Sequence, residues 1–291
     1  MANDYTPYVL EVLSGHMPVL RNKFALAARI YNHGSVKGSA RWTRDVVGSA
    51  ETKTEGTQLV GLTDSTSQKV TLTPATHKVA RFYQEDGEMS VTSVRTMAEQ
   101  RIPTKLVALV NDIESAVAEK QSEVLTYRIG ALGGGISRLL LTQAIEKLEL
   151  QNAIAQTLVV HPSVKRAMKM DDEIQKLFQY WQGGQAQIGS FVPNALEFEA
   201  VGRSNQIYQP LAGQYVCLAF QREWCGIAFG DLSGVEAGAG RFVKAYYDPE
   251  TKITFRIVQH ATADGLGQEF LIDVQYDVEV QEEQLCVAIQ C

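Results

Sequence analysis

The sequence has no long apolar run and no basic N-terminal segment. None of its apolar stretches approaches the roughly 20 residues that a membrane-spanning helix requires. The chain begins MANDY, and this N-terminus lacks the basic region followed by an apolar region that marks a secretory signal. We therefore expect a chain with no membrane segment that is made and folded in the cytoplasm.

Cysteine is scarce, and its spacing excludes the usual metal sites. The four cysteines are Cys217, Cys225, Cys286 and Cys291. No two of them form a Cys-x-x-Cys pair and no histidine lies within a few residues of any of them, whereas zinc sites need closer spacing. We interpret the cysteines as apolar strand residues with free thiols. The alternative is that Cys217 and Cys225 face each other across a hairpin.

The chain also lacks a basic stripe and any recognisable catalytic constellation. Its net charge of −6 argues against a dedicated nucleic-acid binder, because neutralising phosphates requires clustered Lys and Arg. Residues 133–138 lack the Gly-Lys-Ser/Thr ending of a phosphate loop, and residues 234–240 have the wrong glycine order for a dinucleotide fingerprint. His161, which precedes Pro162, is the first histidine to test as a general base, but we interpret it as a junction residue bonded to backbone. We predict no enzyme activity, no cofactor and no metal site.

A polar segment rich in threonine and valine, residues 39–83, is the most informative part of the chain. Alternations such as KVTLT favour extended backbone. Between Ala50 and Lys69 the only sizeable apolar side chains are Leu59, Val60 and Leu62. A long two-stranded ribbon of this kind is marginal in water, because it buries little apolar surface and leaves both edges open. Unless the ribbon is disordered, we predict that a neighbouring copy of the same protein covers it.

Apolar spacing predicts two helices in the first half of the chain. One should cover residues 17–30, and a longer one residues 103–124, with Pro103 in its first turn. We assign Glu114 to the polar side of the longer helix. The apolar stripe of that helix comprises Leu106, Leu109, Val110, Ile113, Ala116 and Val117.

The sequence pattern in the middle of the chain predicts a helix, then a short strand, and then further helices. The helix should begin at Thr142, and the strand should cover residues 157–160 and end at His161. Ser163 or Asp171 should cap the helices that follow.

The remainder of the chain is predicted to be mainly β-structure, which makes the fold α+β. Residues 214–220 and 224–229 should pair around a Gln-Arg-Glu turn. Residues 241–247 and 252–259 should form strands joined by a type I turn with the sequence Asp-Pro-Glu-Thr. Strict apolar–polar alternation over residues 270–280 predicts a strand with one wet face.

An N-terminal arm, a polar ribbon, a long amphipathic helix, a mixed middle region and a β-rich end follow one another in this chain. This order resembles the major capsid protein of tailed bacteriophages, with the Hong Kong 97-type fold that encapsulin shells share. Residues 40–83 look like that family's extended loop, and residues 97–120 look like its spine helix. Residues 158–162, which lead into a helix, are similar to a passage of its axial domain, and residues 241–280 to its closing strands.

The resemblance implies an α+β fold with an N-terminal arm, an extended β-hairpin loop, a peripheral domain with a long spine helix, and an axial domain. The corresponding ranges are 1–33 for the arm, 34–84 for the extended loop, 85–154 for the peripheral domain, 155–240 for the axial domain, and 241–291 for closing strands that are mainly peripheral.

The resemblance also implies that the extended loop lies over an adjacent subunit. The inter-subunit contact residues expected on it are Trp42, Arg44, Asp45, Glu51, Lys53, Glu55, Asp64 and Lys69. Their mixed charges could set the register with a neighbour, and a solvated face is the equally weighted alternative. Some family members form a crosslink through a lysine of this loop, but no motif here supports it.

The function implied is that of a major head protein, a structural protein of the virion. Such a subunit self-assembles into pentamers and hexamers of an icosahedral shell that encloses phage DNA, and assembly takes place in the host cytoplasm. We expect separate scaffolding and portal proteins, leave a decoration protein open, and expect no sequence-specific binding of the packaged double-stranded DNA. The alternatives are an encapsulin-like compartment shell and, from another class, a soluble α+β enzyme or ligand-binding protein with a mobile loop.

Overall fold

The computed structural model describes residues 4–45, 67–85, 91–124, 126–181, 197–232, 241–262 and 267–291. Its helices are α1 (Thr6–Arg21), α2 (Val91–Glu119), α3 (Arg138–Glu149), α4 (Pro162–Met170) and α5 (Asp172–Trp181). Its strands are β1 (Tyr31–Val36), β2 (Ala40–Asp45), β3 (Ser67–Leu72), β4 (Thr76–Glu85), β5 (Arg128–Gly130), β6 (Thr157–Val160), β7 (Ala200–Arg203), β8 (Val216–Phe220), β9 (Cys225–Gly230), β10 (Arg241–Tyr247), β11 (Thr254–Ala261), β12 (Gly267–Val280) and β13 (Cys286–Gln290). The fold is α+β, as predicted.

A six-stranded sheet is organised around the long strand β12. One edge of β12 pairs antiparallel with β11, and the other edge pairs with β4 and then with β9. The sheet continues to β10 beyond β11, and to β1, which runs parallel to β9. Helices α1 and α2 pack against each other and against this sheet. The apolar side chains of β12 between Phe270 and Val278 are therefore buried in the same core as the two helices.

Helix α2 begins earlier than predicted, and Pro103 lies inside it instead of in its first turn. Its N-terminal half continues the buried face through Val94, Ala98 and Ile102. A proline inside a helix cannot donate the backbone hydrogen bond of its turn. Burial of the apolar face on both sides of Pro103 offsets that loss, because tertiary packing supplies most of a helix's stability.

Helix α1 covers Thr6–Arg21, so the predicted range of 17–30 is wrong. The buried apolar residues of α1 recur at helical spacing and are Val9, Val12, Leu13, Met17 and Leu20. The N-cap Tyr5 makes no side-chain cap bond, but the preceding Asp4 carboxylate accepts hydrogen bonds from the backbone N–H and the hydroxyl of Thr6, at 3.0 and 2.5 Å. After Arg21 the chain makes turns, and β1 then begins at Tyr31.

A five-stranded sheet with the order β5-β13-β8-β6-β7 forms the other part of the molecule. Helix α3 packs against β5, β8 and β13. Strands β8 and β9 lie in different sheets, so their predicted pairing is wrong. Both strands are buried on both faces, and such a strand carries no pattern that would indicate its partner.

The cysteines are buried and free, as interpreted from the sequence. The alternative pairing of Cys217 with Cys225 is wrong, because those two residues lie in different sheets. The Sγ atom of Cys217 instead lies 3.6 Å from the Sγ atom of Cys291.

Local signals predicted the turns and caps with mixed success. The Asp248 carboxylate accepts from the backbone N–H of Thr251 at 3.1 Å, which closes the predicted turn between β10 and β11. Asp171 caps α5, as predicted, through a 2.9 Å bond from the N–H of Ile174. Helix α3 is capped by Ser137, so the predicted start at Thr142 is wrong.

The two larger sheets do not follow the predicted domain ranges. Strand β5 and helix α3 belong with the five-stranded sheet, although they fall in the predicted range 85–154. Strand β9 belongs to the six-stranded sheet and β13 to the five-stranded one. The chain crosses between the sheets at short 3-10 turns, which no change of composition marks. The division into peripheral and axial domains stays a prediction.

Candidate assembly surface

Strands β2 and β3 form a two-stranded sheet that corresponds to the described part of the extended loop. The predicted loop range, 34–84, also included most of β4 and part of β1, and both of these strands belong to the six-stranded sheet. Ala40 pairs with Leu72 and Trp42 pairs with Val70. Because alternate residues of a strand share a face, these four apolar side chains lie on one face of the pair. The exposed residues of the other face are Arg41, Thr43, Lys69 and Thr71.

Burial decreases along the apolar face of the β2–β3 pair. Leu72 is 0% exposed and Ala40 is 9% exposed, and both pack against Ala228 of β9. The next pair, Trp42 and Val70, is only half-buried. The rest of the chain therefore covers the base of this face and leaves part of its continuation open.

Polar residues of β12 hold the base of the loop. The Asp277 carboxylate accepts from the backbone N–H of Thr73 at 2.7 Å, and the side-chain amide of Gln275 donates to the carbonyl oxygen of Pro74 at 2.7 Å. Gly230 makes room for Gln275, since a Cβ atom there would come within 2.6 Å of the Gln275 Oε1 atom. These contacts fix the point at which the loop leaves the sheet.

The predicted wet face of β12 is wrong for Asp273, which is 3% exposed. Its carboxylate accepts from the Arg256 Nε atom at 3.1 Å and lies 2.8 Å from the His77 Nε2 atom. Both partners come from neighbouring strands of the sheet, β11 and β4. The carboxylate thus ties three strands together on the face opposite the apolar core.

The structure describes both backbone and side-chain burial for only two of the predicted contact residues. Trp42 is half-buried and Lys69 is exposed. The backbone of Arg44 pairs with Gln68, and that of Asp45 pairs with Ser67. The remaining predicted contact residues lie outside the described residues and are Glu51, Lys53, Glu55 and Asp64. Their role stays a prediction.

The prediction that the ribbon has no covering surface of its own is wrong at its base. Leu72 and Ala40 pack on Ala228 of the same chain, because the loop base is bonded to β12. The prediction that a neighbouring copy covers the ribbon was made for the whole of residues 39–83. It stays untested for residues 46–66, which lie outside the described residues, and for the half-buried Trp42.

A buried carboxylate on α2, Glu114, joins three parts of the chain and was assigned to the wrong side of the helix. It is 1% exposed, and its oxygens accept from the backbone N–H groups of Ala25, Leu26 and Ala27 at 2.9–3.0 Å. The hydroxyl of Ser204, just after β7, also donates to it at 3.1 Å. Burial raises the pKa of Glu114, and the hydrogen bonds oppose that rise.

His161 has the structural role that the sequence favoured, at the junction of β6 and α4. Its Nδ1 atom accepts from the backbone N–H of Ser163 at 3.2 Å, so His161, not Ser163, caps α4. Its ring stacks on Tyr215 with centroids 4.1 Å apart. Burial lowers the pKa of His161, which favours the neutral ring that accepts this bond.

Exposed apolar side chains are frequent around the five-stranded sheet. Those at least 60% exposed in this part of the chain are Leu139, Leu150, Ile154, Met170 and Leu211. Single exposed apolar residues are normal, whereas a contiguous apolar patch is typical of protein–protein contact, so these five positions are candidates for a contact and not evidence of one.

The described residues show neither a metal-binding group nor a helix that could span a membrane. Across the described ranges, no three His, Cys, Asp or Glu side chains gather as a metal-binding group would. None of the described helices has the length and apolar character that crossing a bilayer requires.

No protein-family model matches this chain, and no curated protein matches it. Several solved structures, by contrast, are similar to this chain. The capsid of the cyanophage P-SCSP1u is 13% identical with a TM-score of 0.60, over 92% of this chain and 88% of that one. The capsid of a native GTA particle is 10% identical with a TM-score of 0.57, over 91% of this chain and 89% of that one. A virus-like particle from Pyrococcus furiosus is 11% identical with a TM-score of 0.51, over 99% of this chain and 100% of that one.

These likenesses extend over nearly the full length of the chain and of the proteins compared. At such low identity they show the fold, which is the one that the order of the sequence elements resembles. The chain has the Hong Kong 97-type capsid fold.

Proposed function

We propose that this chain is a major capsid protein that self-assembles into pentamers and hexamers of an icosahedral shell around phage DNA. The observation that carries the proposal is the match of nearly the whole chain to a cyanophage capsid. A shell subunit needs surfaces for its neighbours, and the half-buried apolar face at Trp42 and the exposed apolar residues around α3 supply candidates.

Assembly proceeds through repeated head-to-tail contacts that close into rings and then into a lattice. The loop base bonded to β12 sets the direction in which the extended loop leaves the subunit. The loop then lies on the adjacent subunit, where Trp42 and Val70 gain the cover that their own body gives only in part. Each contact needs only ordinary size, because a subunit makes several of them at once.

The role is structural, and the partners follow from it. Separate scaffolding and portal proteins act in assembly, and a decoration protein is an optional addition. The packaged double-stranded DNA is held without sequence-specific contacts, which the net charge of −6 supports. In this proposal the chain is a virion component that assembles in the host cytoplasm.

A compartment that holds cargo enzymes is the second candidate, because a virus-like particle from Pyrococcus furiosus is also among the structures that this chain is similar to. The phage capsid has the higher TM-score, 0.60 against 0.51, so we prefer the virion role. The contents of the shell separate the two: packaged DNA supports a capsid, and packaged protein supports a compartment.

Size-exclusion chromatography and negative-stain microscopy of the purified full-length chain test the proposal. Rings, tubes or closed shells are expected, because several weak contacts act together. A monomer or a small oligomer of fixed size at every concentration would instead support the third reading, a soluble enzyme or ligand-binding protein.

A further inference from the structure

A cavity of about 570 Å³ opens where the segment after α1 meets α4 and β7. Its charged lining residues are all cationic among the described residues and are Arg21, Arg29, Lys165 and Arg203. Arg21 pairs with Asp248 and Glu250 of the β10–β11 turn. The other three cations come from three separate elements, in a chain whose net charge is −6.

Lys165 is part-buried and lies near other cations. Burial, together with the positive charges of Lys169, Arg203 and Arg29, lowers its pKa. Lys165 lies on α4 and Arg203 at the end of β7, so cations from different elements converge there.

Arg29 is held in position before any ligand arrives. Its Nη1 atom donates to the carbonyl oxygen of Ala25 at 2.7 Å. Its guanidinium lies against Gly202, where an added Cβ atom would come within 3.3 Å of the Arg29 Cζ atom. A side chain at position 202 would therefore press on the guanidinium.

Glu114 is bonded to two of the segments that line the cavity. Its carboxylate binds the backbone of Ala25 to Ala27, beside Arg29, and the hydroxyl of Ser204, beside Arg203. A buried group that holds both segments keeps their cations close together despite their mutual repulsion. Such preorganisation lowers the cost of binding an anion.

We propose that this cavity binds a phosphate group, through Arg29, Lys165 and Arg203. Arginine guanidinium groups match the geometry of phosphate oxygens, and a lysine adds a point charge. A phosphate monoester carries about −1.5 to −2 charges at neutral pH, which suits several converging cations better than a single carboxylate does. The volume lies within the range of small-molecule sites. The site does not depend on shell formation.

Isothermal titration calorimetry of the full-length chain with inorganic phosphate, at constant ionic strength, tests the proposal. Saturable binding of one phosphate per chain is expected. The double substitution K165Q/R203Q should weaken it about tenfold or more, because it removes two charge-assisted contacts. The matched control is Arg166→Gln, since Arg166 is exposed on the same helix and does not line the cavity. It should leave the affinity unchanged.

Competition shows which phosphate source the site accepts. Displacement by a nucleoside monophosphate assigns the site to free phosphate compounds, and displacement by short duplex DNA assigns it to a nucleic-acid backbone. Circular dichroism checks that each variant is folded. If the double variant does not fold, the single change Arg203→Gln, at an exposed position, takes its place in the titration.

Three results would overturn the proposal. The first is no saturable binding by the unmodified chain up to about 10 mM phosphate. The second is equal affinity in the unmodified chain and the variants at Lys165 and Arg203. The third is displacement by acetate as effective as by phosphate, which would assign the cavity to carboxylates of a protein partner.

Discussion

Glu114 lies on α2 but stabilises the segments beside that helix. The turn at residues 25–27 points three backbone N–H groups at one carboxylate, in a place that water does not reach. Buried donors without an acceptor are costly, so this carboxylate determines where the chain after α1 can lie. The same contacts hold the walls of the cationic cavity.

The sequence contained the spacing that places Glu114 inside, although its residue type indicated the surface. Ile102, Leu106, Val110 and Glu114 follow one another at intervals of four, on the buried side of α2. Residues at that spacing share a helix face, so Glu114 occupies the position of the next apolar residue in the row. The acceptor role could not be predicted, because its donors lie far away in sequence.

Substitution of Glu114 by Gln should destabilise the folded subunit by about 1–3 kcal/mol, because the amide offers one acceptor oxygen and turns an N–H₂ group toward donors. The penalty should depend on pH. The pKa of Glu114 is raised above its ordinary 4.5, so the folded state holds the proton more tightly than the unfolded state. The unmodified chain therefore loses unfolding free energy as pH rises from 4.5 through the raised pKa, and the penalty of the substitution shrinks.

Urea unfolding of isolated subunits at several pH values measures this difference. Glu119→Gln, at an exposed position of the same helix, should change the unfolding free energy by less than about 0.5 kcal/mol. A penalty that grows with pH would mean that the four donors outweigh burial and lower the pKa of Glu114.

Elements whose partners are close in sequence were predicted well, and elements whose partners are distant were not. Strand β10 was predicted with its observed bounds, because an Asp-Pro-Glu-Thr turn follows it directly. The alternating apolar residues of β12 indicated one buried face correctly. By contrast, the uniformly apolar β8 and β9 fit either sheet, and nothing local marks their separation.

The β2–β3 pair was predicted as extended backbone, but its attachment to the body was missed. The contacts that hold its base come from Asp277 and Gln275, which the alternation of β12 had assigned to water. A polar strand face and a face that binds a backbone loop have the same sequence pattern. Only the fold distinguishes them.

Trp42 should matter more for assembly than for folding. Trp42→Asp places a charge on the half-covered apolar face and should reduce shell yield at least about tenfold, because an unpaired charge in a contact is costly. The adjacent Thr43 is exposed on the opposite face, so Thr43→Asp is the matched control and should assemble normally. Shell yield is measured by sedimentation, and thermal unfolding checks the subunit. Equal yields for the two variants would remove Trp42 from the contact.

The molecule as a whole has a continuous buried core and apolar surfaces that remain partly exposed to solvent. Both larger sheets contribute side chains to one buried cluster within the single chain. The apolar face of the β2–β3 pair and the exposed residues around α3 are only partly covered. The fold followed from the order of the sequence elements, whereas these surfaces required the structure, because exposure depends on contacts between distant residues.

Replacing residues 50–66 with a short Gly-Ser linker should prevent assembly and spare the subunit. The change leaves β2 and β3 in place, so the packing of Leu72 on Ala228 is kept. Subunits of normal thermal stability that form no shells are expected by negative-stain microscopy. Normal shells from this variant would exclude the extended loop as an assembly element.

Cryo-electron microscopy of particles formed by the full-length chain is the most direct test of the proposed shell. We expect an icosahedral lattice of pentamers and hexamers in which the segment between Ala40 and Leu72 of each subunit lies on an adjacent copy and covers Trp42. A map in which that segment folds back on its own subunit, or a preparation that contains only separate compact subunits, would contradict it.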